Sequence, residues 1–272
     1  KTQNKALMSV VEALLLGIIQ GLTEFLPVSS SGHLELAQAL FGNQNLSETN
    51  LLFTIVVHGA TALATIVVFR ADIWSILRGL FVFKNNASSQ FALRILLSMI
   101  PATSVGFFLE DTISSSFFGN TLLVGFMLWL TAGLLYIADR PIQNTKKVSL
   151  ANAWWIGIAQ ALAILPGISR SGATIACSLL LGVDREKAAR FSFLMVVPLI
   201  FGSMAKKILD GGLDQNGMMI ERTPFVIGFL AAFVSGYFAC RWMIALVKRS
   251  KLRYFAYYCA LVGTIALLTN IL

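Results

Sequence analysis

Six stretches of the chain are apolar and long enough to read as membrane-crossing helices. Residues 51–69 carry no charge unless His58 is protonated, and residues 117–138 are 22 positions without a charge. Residues 223–240 and 254–272 add charge-free runs of 18 and 19. Residues 95–109 and 191–205 are shorter and extend through their flanks. A span needs about 20 residues at about 1.5 Å rise, with tilt absorbing small deficits. Two further apolar stretches break differently. Residues 10–26 run into Pro27 and the polar string Ser29-Ser30-Ser31-Gly32-His33, and residues 151–165 into Pro166, Gly167 and Ser169-Arg170-Ser171-Gly172. A second apolar stretch follows each and ends in Gly42 or Gly182. Proline stops a helix and glycine permits reversal. Each half is short for a span, so the pattern predicts two re-entrant helix–loop–helix hairpins. Irregular backbone at membrane depth is tolerated only where protein or a wet cavity satisfies it.

The hairpins repeat each other. An ungapped shift of 140 residues pairs Gly17 with Gly157, Gln20 with Gln160, Ser29 with Ser169, Ser31 with Ser171 and Gly32 with Gly172, among ten identities in thirty positions. Three candidate spans follow each copy. The chain therefore reads as one membrane domain over 1–272, with repeat one at about 9–138 and repeat two at about 150–272. Basic residues collect in the connections 70–94, 139–150 and 241–253, while 110–116 holds Glu110 and Asp111 and no base. The positive-inside rule makes the first three cytoplasmic. The mixed connection 206–222 adds little. Three spans per half then oblige the halves to insert in opposite senses, with hairpin one entering from outside and hairpin two from the cytoplasm.

Composition agrees. Of 272 residues 57% are hydrophobic and only 12% charged, about half the share usual in soluble domains. That excludes an ordinary cytosolic domain, a disordered chain and a disulfide scaffold. The net charge of +8 lies in short loops rather than one stripe, which argues against nucleic acid. Cys177, Cys240 and Cys259 sit in apolar runs without a C-x-x-C pair, and buried thiols are expected. The polar opening, residues 1–9, lacks an initiator Met, and no cleaved signal peptide is visible.

The chemistry sits in the two breaks. Under the 140-residue shift Ser30 pairs with Arg170, so pseudo-twofold symmetry brings a hydroxyl of one loop to a guanidinium of the other. Ser/Gly turns at helix starts offer N–H groups to an anion, and Arg adds a fork that matches phosphate oxygens. Small residues alone would signal only close packing, but a charge inside an apolar segment is costly and usually functional. The anion-binding candidates are Arg170, Ser169, Ser171, Ser29 and Gly172. Glu24 interrupts the first half-helix, and His33 follows Ser30 by three residues, which predicts hydroxyl and imidazole on one helix face. Nucleophile, base, carboxylate and phosphate-binding Arg are sufficient for phosphoryl transfer. A carboxylate beside phosphate also suits a divalent cation; Glu24 is the metal-ligand candidate, with Gln20 one turn before it. Glu35 lies next to this cluster. His58, inside a span, fits a hydrogen-bonded structural role better than cavity lining.

The runs Gln20-Gly-Leu-Thr-Glu-Phe-Leu-Pro-Val-Ser-Ser-Ser-Gly-His33 and Pro166-Gly-Ile-Ser-Arg-Ser-Gly-Ala-Thr174 resemble the bacterial undecaprenyl pyrophosphate phosphatase family (UppP/BacA). The resemblance covers nearly the whole chain, including the spacing between the motifs. It implies a plasma-membrane enzyme that removes the terminal phosphate of undecaprenyl diphosphate to recycle the carrier lipid of cell-wall synthesis. It also implies a link to bacitracin resistance, a divalent cation (Mg²⁺ or Ca²⁺) and a site open to the external face. The implied functional positions are Glu24, Ser30, His33, Ser169, Arg170 and Thr174; Gln20 stands where some members have Glu. Partners expected are a polyprenyl diphosphate lipid, membrane lipid and a homodimer mate, with no nucleic acid. Catalysis then has three forms: Ser30 attacks with His33 as base and later acid, His33 attacks, or water attacks with Ser30 as a phosphate ligand. A lipid flippase is the alternative function, because inverted repeats with midplane hairpins are transporter architecture.

Overall fold

The computed structural model describes residues 8–41, 48–81, 86–117, 119–140, 145–207, 209, 222–249 and 251–271. Gly42, Lys84, most of the 206–222 connection and the side chains of Glu110 and Asp111, all used above, lie outside the described residues. Among the described residues the chain is helical, with no strand beyond an isolated bridge between Lys146 and Val183.

The two hairpins are α1 (Val10–Phe25) with α2 (Ser30–Leu40), and α8 (Leu150–Leu162) with α9 (Arg170–Leu180). Their starts are written in the sequence. Ser9 caps α1 in a reciprocal box with Glu12, Ser149 caps α8, and Ser29 and Ser169 cap α2 and α9. Pro27 follows directly on the end of α1. Gly167, at φ +94°, turns the second loop.

The spans are α3 (Glu48–Val68), α5 (Ala87–Phe108), α7 (Thr121–Ala138), α10 (Arg185–Lys207), α11 (Arg222–Lys248) and α12 (Leu252–Ile271). Five are individually long and apolar enough to cross a membrane. The sixth, α3, qualifies together with α4 (Arg70–Phe81), from which it is bent by 77°. The short spans lengthen through their flanks as expected: residues 95–108 belong to α5, capped by Leu109, and 191–205 to α10. Two elements were not predicted. α4 and α6 (Glu110–Phe117) occupy stretches read as connections. Arg70, Asp72 and Arg78 hide α4 from a hydropathy reading, yet its Ile73 and Ile76 pack on the core while Trp74 and Leu77 are exposed. This is the amphipathic pattern of a surface helix.

Contacts fix the helix directions. Gly17 and Gly21 of α1 lie against Gly228 and Ala232 of α11, so these helices run parallel. Phe53 and Thr61 of α3 meet Gly228 and Gly236, again parallel. α10 runs against α3, since Gly59 meets Met204 and Phe69 meets Phe193. It runs with α5, since Phe91 meets Phe191 and Lys206 reaches the Gly106 carbonyl. α7 and α12 are antiparallel, with Trp129 on Thr264 and Asp139 on Arg253. Asp139, at the end of α7, also pairs with Arg185 at the start of α10. The six long helices thus alternate in direction along the chain.

The two hairpins open on opposite faces of this bundle. Lys146 and Val183, at the two ends of the second, are bridged through Lys146 N–Gly182 O at 3.1 Å and Asp184 N–Lys146 O at 3.0 Å, beside the start of α10. On the first, Glu35 of α2 accepts from Gly119 N at 3.1 Å, just ahead of α7 and so on the other face. The loops meet in the interior. Gly32 abuts Gly167, Gly172 abuts Pro27, and Ser171 Oγ donates to the Leu26 carbonyl at 3.1 Å. The cysteines are free, with Cys240 and Cys259 buried and Cys177 partly so.

Candidate active site

Glu24 is the centre of the site. It lies one turn after Gln20 on the buried side of α1, and the two residues are 7% and 0% exposed. Such a carboxylate has left water and needs partners. Its Oε2 accepts from Gln20 Nε2 at 2.9 Å and from Ser30 Oγ at 2.8 Å, and stands 3.9 Å from His58 Nε2. Its Oε1 accepts from Arg170 Nη2, a contact reaching 146 residues along the chain from the other hairpin. One carboxylate therefore holds a hydroxyl of the first loop and a guanidinium of the second. The expected meeting of Ser30 and Arg170 is realised through Glu24. A cavity continues from it, lined by Thr61, Thr65, Ser171, Thr174 and Ser192 on its polar side.

The other serines build the loops. Ser29 Oγ accepts from Gly32 N at 3.3 Å and Ser169 Oγ from Gly172 N at 3.1 Å, which caps α2 and α9. Ser29–Ser31 and Ser169–Ser171 each pair Oγ to Oγ at 3.3 Å, an equivalent bond in the two loops. Ser29 does this at φ +72°, a conformation rare outside glycine. Thr174 Oγ1 donates to the Arg170 carbonyl at 2.8 Å and accepts from Ser192 Oγ, tying down the turn that carries the guanidinium. Ser29, Ser169 and Gly172, predicted to touch phosphate, and Thr174, a functional position by resemblance, are thus engaged in shaping the turns that would surround one.

His33 departs from its predicted pairing. Its Nδ1 bonds the Ser29 carbonyl at 2.8 Å, and its Nε2 meets Tyr258 Oη at 2.9 Å with the two rings stacked 8° from parallel. The Ser30 hydroxyl turns to Glu24 instead, because a charge-assisted bond to a buried carboxylate is stronger than one to a neutral imidazole. Glu35 faces Gly119 and is not part of the cluster. His58 combines both readings weighed for it: Nδ1 is bonded to the Thr54 carbonyl at 2.8 Å, and Nε2 faces Glu24. Sequence reasoning did not single out Tyr258 or Thr131. Thr131 Oγ1 accepts from Ser169 N and donates to the Gly167 carbonyl, both at 3.1 Å. Both residues lie inside apolar spans, far along the chain from either motif, and no local signal marks them.

Fold and site together define a multi-pass helical membrane protein whose two interior loops share a buried Arg–carboxylate–hydroxyl cluster. A family profile described as "Bacitracin resistance protein BacA" matches residues 13–265. A protein of Christiangramia forsetii is 57% identical over 264 residues, covering 96% of this chain and 98% of its own length. One of Bacteroides fragilis is 49% identical over 269 residues, 97% and 99% of the two chains. One of Methanobrevibacter smithii is 36% identical over 284 residues, again 97% and 99%. Each of the three is named "Undecaprenyl-diphosphatase". The chain belongs to the BacA family.

Proposed function

We propose that this protein is an undecaprenyl-diphosphatase of the bacterial inner membrane. It hydrolyses undecaprenyl diphosphate to undecaprenyl phosphate and inorganic phosphate, and so recycles a carrier lipid for peptidoglycan synthesis. One observation carries the reading: Ser30 and Arg170, from two different loops, converge on the single buried carboxylate of Glu24. The relatives' shared name supports the substrate. No observation favours the flippase reading.

The geometry suggests the chemistry. Arg170 occupies Glu24 until a diphosphate arrives and offers the guanidinium a bidentate anion. The first N–H groups of α2 and α9 that the Ser29 and Ser169 caps leave unbonded add donors for the same anion. Released from Arg170, Glu24 takes the proton of the Ser30 hydroxyl that it already accepts. Ser30 Oγ bonds to the terminal phosphorus, the bond from that phosphorus to the bridging oxygen breaks, and the electron pair leaves with the lipid monophosphate. Water then cleaves the phosphoserine, releases phosphate and restores the hydroxyl. His33, held by Ser29 and Tyr258, fixes the first turn of α2.

A divalent cation would draw on Glu24 and Gln20. Glu24 supplies a carboxylate, and Gln20 Oε1 is buried with no hydrogen-bond partner. When bound, Mg²⁺ or Ca²⁺ neutralises charge on the diphosphate. Opposite openings of the two hairpins, with tips meeting inside, support re-entrant loops in an inverted repeat. The face bearing Arg140, Lys146, Lys147, Lys187 and Arg253 is the cytoplasmic one by the positive-inside rule. Hairpin one then opens outward, and the headgroup enters from the external side.

The test is phosphate release by purified protein from a prenyl diphosphate in micelles. We expect release that chelator stops and that Arg170→Ala lowers by at least about 10²-fold, the usual cost of one charge-stabilising donor. Undiminished release by that variant, or none by the wild type with any divalent ion, would refute the proposal.

A further inference from the structure

Along α4, Arg70, Trp74, Leu77 and Arg78 place two cations and two large apolar side chains at helical spacing. At about 100° per residue they fall within one arc of about 100°. All four are exposed, Trp74 by 64%. The other side of the helix is committed. Ile73 and Ile76 pack on the core, and Asp72 is ion-paired with Arg190 of α10. Asp72 is the one acid of α4, so Arg190 already balances it. Among the described residues no acid is paired with Arg70 or Arg78. The helix is bent by 77° from α3, so where α3 crosses the bilayer α4 lies close to the membrane plane. Arg190 stands in the first turns of α10, which puts α4 on the basic face of the bundle.

We propose that this face of α4 binds acidic phospholipid in the interfacial layer of the bilayer. Trp74 and Leu77 sit at the boundary between headgroups and chains, and Arg70 and Arg78 bond the lipid phosphates. A tryptophan prefers that boundary because its ring is apolar and its N–H needs a polar partner. Apolar residues and arginines on a helix lying along the surface are the pattern of interfacial binding. Long arginine stems let the guanidinium reach the headgroups while the neighbouring apolar side chains stay submerged. The two cations select among lipids. A zwitterionic headgroup brings its own ammonium to a positive surface, whereas an acidic lipid offers a phosphate with no cation attached. Acidic lipid also gives the cytoplasmic leaflet its negative potential, on the side to which basic connections assign this face. A soluble protein would have to hold Trp74 and Leu77 against the surrounding lipid, and two uncompensated charges beside them favour the membrane.

The full chain is reconstituted in phosphatidylcholine bilayers. Part of the lipid is replaced by dibrominated phosphatidylcholine or, in parallel, by the same fraction of dibrominated phosphatidylglycerol, and tryptophan fluorescence is read. The chain has five tryptophans, so the Trp74 signal is taken as the difference between wild type and Trp74→Phe, a change at an exposed position outside the core. We expect both lipids to quench Trp74, the acidic one with a local preference of at least about threefold; one base beside an acidic surface is worth about fivefold. In Arg70→Gln/Arg78→Gln, with and without Trp74→Phe, that preference should disappear while quenching by brominated phosphatidylcholine persists. Absence of Trp74 quenching by either lipid overturns the proposal, and is the result that a second copy or a soluble protein seated on this face would give. Equal quenching by the two lipids in the wild type, or a preference that survives in the double variant, also overturns it. None of these measurements involves phosphate release, so failure here leaves the diphosphatase reading standing, and the reverse.

Discussion

Glu24 has four neighbours on two oxygens, and each can be removed separately. Glu24→Gln keeps the shape but sets an amide N–H₂ against donors on one side, gives up the charge opposite Arg170, and cannot take the Ser30 proton. We expect phosphate release to fall by about 10³-fold, within the usual contribution of a positioned base, with KM little changed. A KM effect alone would mean that Glu24 only binds. Arg170→Ala strands a buried carboxylate as well as losing a phosphate ligand. Its thermal midpoint should fall in detergent, by an amount matching about 3 kcal/mol. Tyr258→Phe removes one hydroxyl from His33 and leaves the stacked ring. The expected loss in kcat is about 3- to 10-fold, the worth of one hydrogen bond, measured by the same phosphate assay. An unchanged kcat would show that Tyr258 does not hold His33 for the chemistry. Glu24, Ser30 and Arg170 were legible in the sequence because charge and hydroxyl groups interrupt apolar runs there. Which of them touch was not. The Ser30–His33 spacing suggested a pair that the stronger pull of the carboxylate prevents.

Elements differ in how tightly their glycines are held. Gly21 of α1 faces Ser235 Oγ, the Ala232 carbonyl and Gly236 N of α11, leaving no room for a side chain. Gly106 of α5 has nothing within 4 Å of where a Cβ would stand. Gly21→Ala should cost about 1–3 kcal/mol through forced separation of the helices, whereas Gly106→Ala should leave the thermal midpoint equal or slightly higher, since Ala favours a helix. Equal midpoints for the two variants would contradict the α1–α11 packing. The long spans could be read from hydropathy because a membrane-facing helix needs apolar residues on most of its surface. α4 could not, because it lies at the surface and shows only a stripe.

At the scale of the whole molecule, alternating helices put Asn120 on one face and Lys147 on the other, both exposed. With the native cysteines replaced, an impermeant maleimide should label Asn120→Cys in intact cells and Lys147→Cys only after permeabilisation. The opposite result would invert the proposed orientation. The Asp139 cluster, joining α7 to Arg185 of α10 and Arg253 of α12, pins the basic face. Residues 146 positions apart share one carboxylate because the tips of the two hairpins meet in the interior of the bundle.

The sequence by itself determined the long apolar helices, the helix breaks after Phe25 and Leu162, and the few polar residues admitted to the interior. Each of these is a local matter of hydropathy, capping and proline. Only the tertiary structure decided that Glu24 mediates between Ser30 and Arg170, that His33 belongs to Tyr258, and that His58 faces the carboxylate. Those pairings are competitions for hydrogen bonds among side chains brought together by packing, and no spacing along the chain records which partner wins.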